Sequence, residues 1–170
     1  MSEMRDERPK PKPHWTFRLV LGRRPAWTIV RICLMVGLTL FLFKVVLLPI
    51  ETRGTSMVPT LRNGSIHFVN KLAYSRNKPH RGDIVAVTLE EHGLVLVKRI
   101  VGLPGERVSI HDGGIYIDED RLNEPYIKER TPGRYNVQLQ PRQYFVIGDN
   151  RTLSEYRERF DWEILGKVVF

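Results

Sequence analysis

The chain has 170 residues, enough for one globular domain with appendages rather than two domains. Its formal net charge of +8 is uneven: residues 1–31 hold eight basic and three acidic side chains, and the other 139 residues hold 19 and 16. So balanced a remainder argues against nucleic-acid binding, which needs a concentrated basic face, and the one cysteine, Cys33, excludes an intramolecular disulfide.

Residues 1–28 read as a basic cytoplasmic tail. Its first fourteen residues set Pro9, Pro11 and Pro13 among charges, a disordered composition. Trp15, Phe17 and Trp27 then suit the inner membrane surface. Residues 32–50, ICLMVGLTLFLFKVVLLPI, carry a single charge, Lys44, whose long stem can reach the headgroups. As a helix this run would be ~28 Å long, close to the ~30 Å hydrocarbon core of a bilayer. A cleaved signal sequence has a shorter apolar region and an A-x-A site, which is missing here. A soluble core helix in so small a domain is seldom apolar on every side. The expectation is a transmembrane anchor over 29–50. The Lys/Arg excess before it keeps the N-terminus in the cytoplasm and exports residues 51–170.

After the span the pattern changes to short alternating runs rich in Val, Ile, Tyr and Phe. Strands are predicted at 66–74, 83–89, 94–102, 107–110, 115–118, 143–149 and 165–170. Arg81-Gly82-Asp83, Pro104-Gly105, His111-Asp112-Gly113-Gly114 and Pro132-Gly133 supply turns between them. The clearest hairpin is VSIHDGGIYI, because Asp-Gly and Gly-Gly tolerate the positive φ of a tight turn. No amphipathic helix is evident beyond the span, although NRTLSEYRERF could form one turn. The fold class is mainly β, a coiled sheet or small barrel-like domain behind one N-terminal transmembrane helix.

A serine hydroxyl needs a base to become a nucleophile. RGTSMVPTL, residues 53–61, puts Ser56 a few residues beyond the span, an extended reach of at most ~20–25 Å from Pro49. The histidines of the exported part have ordinary explanations: His80, His92 and His111 lie in turn-like stretches, and His67 alternates with apolar residues on a strand. No G-x-S-x-G elbow is present, and no histidine pair has metal-ligand spacing. Lysine is the other option. In LVLVKRIVG, alternation puts Lys98 on one face with Leu94, Leu96 and Ile100, and Arg99 on the other with Val95, Val97 and Val101. Burial among aliphatic groups favours a neutral amine, which could accept a proton from a serine; a strand lysine that only snorkels to water is the plainer alternative.

Four stretches in chain order carry a resemblance: GTSMVPTL (54–61), RGDIVAV (81–87), VKRIVGLPGERV (97–108) and GDNRTLSE (148–155). Together they resemble the bacterial type I signal peptidase family, serine proteases of the Ser/Lys dyad type. The resemblance implies Ser56 as nucleophile and Lys98 as general base, with the Ser56 N–H, and side chains near Gly54 and Thr55, at the oxyanion. Ser154 would orient the lysine amine, and Met57 and Val97 would line a shallow pocket for small side chains. It implies no metal or organic cofactor. The partners would be signal peptides of exported preproteins at the bilayer, near the secretion translocon.

Two departures bear on this. Relatives often carry a serine where Gly54 stands, and their last box reads G-D-N-x-x-x-S-x-D followed by an arginine, where this chain has Tyr156 and Glu158. Arg157 or Arg159 with Asp161 could substitute through a shifted loop. The alternatives are a weak or inactive peptidase-like binding module, or a dedicated peptidase serving a few substrates. The triplet Gly148-Asp149-Asn150 is also what an ordinary turn after a strand contains.

Overall fold

The computed structural model describes residues 25–89, 94–153 and 162–169. The chain falls into two units, one ending at Leu42 and the other starting at Phe43.

In the first unit, helix α1 spans Pro25–Phe41. Proline fits its first position, where no intrahelical N–H bond is needed. A wider helical turn, Leu42–Val46, continues it. Leu34 and Met35 are 68% and 70% exposed, and Ile29, Ile32 and Leu40 are exposed likewise. The helix therefore turns no apolar stripe toward a core; it is apolar all round.

The apolar run 32–50 does not stay helical to its end. After Val46 the chain becomes strand β1, Leu47–Glu51, paired antiparallel with β2, Ile66–Asn70, in the register Leu47↔Asn70 to Glu51↔Ile66. A continuous apolar run does not distinguish helix from buried strand by periodicity. Pro49 is compatible with this because β1 is an edge strand, where a missing N–H costs no ladder bond.

The second unit is built of two antiparallel sheets. The larger has the order β1-β2-β10-β3-β4-β9, with β3 at Ile84–Leu89, β4 at Leu94–Gly102, β9 at Phe145–Ile147 and β10 at Trp162–Val169. The smaller has the order β7-β6-β5-β8, with β5 at Arg107–His111, β6 at Gly114–Ile117, β7 at Asp120–Arg121 and β8 at Tyr135–Gln138. The β5–β6 hairpin closes through Asp112 and Gly113, whose φ values of 51° and 76° match the twist of the flanking strands. Strands β1, β7 and β8 were not anticipated, and β2 is shorter than the run 66–74.

Both faces of β3 and of the inner part of β4 are covered. On one, Met57, Leu61, Val69, Ile84, Ala86 and Val168 form a cluster against which Ile50 and Val97 pack. On the other, Val85, Val87, Ile100 and Val146 pack with Leu96, Tyr74 and Ile164. A third cluster, including Val101, Val108, Ile110, Leu139 and Phe145, joins the end of β4 to the smaller sheet. Gly102 sits at an irregularity of the β4–β9 register, where an added Cβ would lie 2.5 Å from a Val108 methyl.

Asp83, just ahead of β3, pins this framework. Its carboxylate accepts from Lys167 Nζ (2.6 Å), the Tyr74 hydroxyl (2.9 Å) and the His80 N–H (3.1 Å). Burial alone would raise its pKa, but the Lys167 hydrogen bond, the His80 and Tyr74 donors and the Lys167 charge outweigh it and hold the group below the ordinary carboxylate value. A depressed native pKa means stabilisation that is complete above about pH 4, where the unfolded carboxylate ionises, and fades as pH falls through the native value. Asp83→Asn should cost about 1–3 kcal/mol at neutral pH and flatten the acid limb of stability, as read by urea titration at several pH values.

Candidate active site

Beyond β1 the chain is held to the residues that lead into β2. Thr52 N–H donates to Ser65 O (2.9 Å) and Gly64 N–H to Thr52 O (2.8 Å). Gly54 has φ +100°, a conformation that favours glycine, and its N–H donates to Asn63 Oδ1 (2.9 Å). Residues 55–61 then form successive turns, with Val58 N–H on Thr55 O (3.1 Å), Leu61 N–H on Met57 O (2.9 Å) and a cis Val58–Pro59 peptide. Met57 and Leu61, 1% and 2% exposed, anchor this segment in the core. Ser56, half-buried, precedes the first anchor, and its carbonyl accepts the Asn150 N–H at 2.9 Å.

Ser56 lines a groove of about 310 Å³. Ile50, Thr52 and Met57 contribute from its own side, and Val95, Leu96 and Val97 of β4 from the other. Glu51 and Arg53 lie at the exposed rim and pair with each other at 3.0 Å. Lys98 follows Val97 on β4. It is half-buried, lies opposite the fully buried Val85, and alternates with Leu96 and Ile100. Thr55 and Gly54 are exposed. Ser154, together with Tyr156, Arg157, Glu158, Arg159 and Asp161, lies outside the described residues, as does His92. None of the described histidines lines the groove: His67 Nε2 meets Ser65 Oγ at 2.8 Å, His111 stacks on Tyr116, and the His80 ring is exposed near Asp83.

The residue after Lys98 has a role the sequence did not reveal. Arg99 is buried, and its Nε and Nη2 bind Asp149 Oδ1 and Oδ2 at 2.8 and 2.7 Å, a bidentate pair. Its Nη1 donates to Gly82 O (2.8 Å), and the guanidinium lies 3.9 Å over the Tyr126 ring. Burial by itself would favour a neutral Arg99; the Asp149 hydrogen bonds and charge reverse that and hold it charged. Asp149, wholly buried, also accepts the Thr60 hydroxyl. One carboxylate thus joins β4, beside Lys98, to the turn that carries Ser56, while the next residue, Asn150, holds the Ser56 carbonyl. Gly148-Asp149-Asn150 is more than a turn.

A second buried pair supports the first. Arg151 donates to Glu124 (2.9 Å), Thr131 Oγ1 (2.6 Å) and Gly148 O (3.1 Å), with side-chain exposures of 0% for Arg151 and 4% for Glu124. Glu124 also accepts the Tyr126 hydroxyl at 2.7 Å. Burial, then that hydrogen bond and the Glu124 charge, push the Tyr126 phenol well above its usual range. The chain Asp149–Arg99–Tyr126–Glu124–Arg151 is continuous.

Residues 26–155 match the family model described as signal peptidase, peptidase S26. The chain belongs to the signal peptidase family. Signal peptidase I U of Bacillus subtilis (strain 168) is 31% identical over 150 residues, covering 82% of this chain and 80% of that protein. Signal peptidase I of Bacillus caldolyticus is 32% identical over 171 residues, with 88% and 89% covered, and that of Bacillus licheniformis 35% over 137, with 74% and 72% covered. A crystal structure of a signal peptidase I from Enterococcus faecalis V583 matches 54% of this chain and 94% of that one, at 29% identity and a TM-score of 0.45. Signal peptidases I are serine endopeptidases, and this member is mainly β, in two antiparallel sheets behind an N-terminal apolar helix.

Proposed function

We propose that this signal peptidase removes signal peptides from exported preproteins through Ser56 and Lys98. The observation that carries this is the groove: Ser56 stands on one wall, and β4 forms the other up to Val97, the residue before Lys98. Ser56 Oγ attacks the scissile carbonyl carbon while the neutral Lys98 amine takes its proton. The oxyanion is met by the Ser56 N–H, whose peptide segment is steadied by the Asn150–Ser56 bond. The tetrahedral intermediate collapses as Lys98 returns the proton to the leaving amine, freeing the mature protein. Water, deprotonated by the same amine, then hydrolyses the acyl-Ser56 ester. Thr55 or backbone groups near Gly54 supply any second oxyanion donor, and Ser154 steadies the amine.

The groove is small, and Ile50, Met57 and Val97 give it an apolar stretch of wall, so it suits small side chains at the first and third positions before the cleaved bond, with Met57 and Val97 as lining. The apolar helix and the wider turn after it, ending at Val46, anchor the protein in the cytoplasmic membrane with the N-terminal tail inside. The peptidase domain on the outer face starts at β1, so the anchor ends earlier than the 29–50 expected. A signal peptide's own apolar segment stays in the same bilayer, so tethering raises the effective concentration of the two partners. Acting near the secretion translocon follows from the same logic. The test is incubation of the purified full chain in detergent with a model preprotein, followed by N-terminal sequencing of the product. Cleavage after a small residue is expected; an intact preprotein at every pH tried would overturn the reading.

A further inference from the structure

Among the described residues that line the groove, Thr52 has a hydroxyl that is buried and unpaired. It is 6% exposed, and its Oγ1 is buried without a hydrogen-bond partner. Its backbone groups are both used, by Ser65 and Gly64, so nothing in the main-chain pairing requires a threonine there. Alternation along 50–53 puts it on the side of Ile50, which packs against the Met57 cluster, while Glu51 and Arg53 point outward. A valine would fill the same volume with no orphaned hydroxyl, which normally costs free energy when buried.

We infer that the Thr52 hydroxyl is a specificity determinant, selecting a small hydroxyl side chain, serine, over alanine at a substrate position just ahead of the cleaved bond. This rests on the groove around Ser56 being the peptidase site. Ile50, Met57 and Val97 accept alanine and serine alike by size, but a serine hydroxyl pressed against them loses its water partners. Thr52 restores one. This selection requires a staggered rotamer about the Thr52 Cα–Cβ bond that turns the hydroxyl toward the substrate side chain. The two hydroxyls then satisfy each other, and the buried Thr52 hydroxyl gains a partner with the substrate.

The experiment compares paired preproteins carrying serine or alanine at the first or at the third position before the bond. They compete for wild-type full-length enzyme and for Thr52→Val and Thr52→Ser, and the readout is the serine-to-alanine ratio of kcat/KM. One hydroxyl hydrogen bond sets the scale, so Thr52→Val should lower the ratio about three- to tenfold at one of the two positions, and Thr52→Ser should retain it. Thermal melting should show Thr52→Val as stable as wild type or more so. An unchanged ratio at both positions overturns the inference, and so does a marked loss of stability, which would give the hydroxyl a partner within the fold. Ser56→Ala, run alongside, separates the two readings: if it still cleaves, the peptidase site itself is wrong, whereas a Ser56-dependent enzyme with an unmoved ratio sinks only the role of Thr52.

Discussion

Ser56→Ala and Lys98→Ala are each expected to lower preprotein cleavage by about 10⁴-fold or more, with the double substitution scarcely worse than either single one. Without Oγ no acyl ester forms; without the amine the hydroxyl has no acceptor for its proton. Two residues acting as one unit, as proposed, should show effects that do not add. Lys98→Arg should fail as badly, since a guanidinium stays protonated at any working pH and cannot serve as a base. The same requirement fixes the pH dependence. Only the neutral amine accepts a proton, so kcat/KM should climb through the alkaline range. A profile flat from about pH 6 to about pH 10 removes lysine from the base's role. Melting temperatures of Ser56→Ala should stay near wild type, because Ser56 is only half-buried and its bond to Asn150 is through the main-chain carbonyl, which the substitution keeps. A Lys98→Ala enzyme within tenfold of wild type would end the mechanism.

Local pattern carries a good deal of this molecule and stops where pairing becomes non-local. LVLVKRIVG reads as a strand because it is short, rich in β-branched and aliphatic residues and followed by a Pro-Gly turn, and β4 runs over those residues. The Asp112-Gly113 hairpin is equally plain, since both positions require positive φ. Strand β1 was hidden inside an apolar run whose helical reading was equally consistent, and β8, YNVQ, is too short and polar to stand out. Ser56 and Lys98 could be singled out from a few residues around each. Arg99 could not, although alternation placed it among Val95, Val97 and Val101, and a charge on an apolar face demands a buried counter-charge. That partner, Asp149, lies 50 residues on, and Glu124 and Arg151 are 27 apart. Thr52 escaped for the opposite reason: its interest is a bond not made, which only coordinates reveal.

Removing one member of the Glu124–Arg151 pair should be among the most destabilising single changes in the domain. Glu124→Gln leaves a wholly buried guanidinium without its counter-charge, a loss of about 3–5 kcal/mol. For a domain of this size that lowers the melting temperature by about 10–20 °C. Arg151→Met should cost about as much by stranding the carboxylate, whereas the double Glu124→Leu/Arg151→Met should recover much of the loss, because it buries no charge at all. A single variant that loses less than about 1 kcal/mol in denaturant titration would show that the pair is solvated and the argument wrong. The double variant also separates stability from catalysis. Arg151 holds the Gly148 carbonyl and adjoins Asn150, which fixes the Ser56 carbonyl, while Glu124 positions the Tyr126 ring under Arg99. A refolded double variant should therefore still cleave more slowly than wild type. The loss should lie in kcat rather than KM, because the walls of the proposed substrate groove are untouched while the peptide carrying Ser56, the proposed nucleophile, has lost its brace.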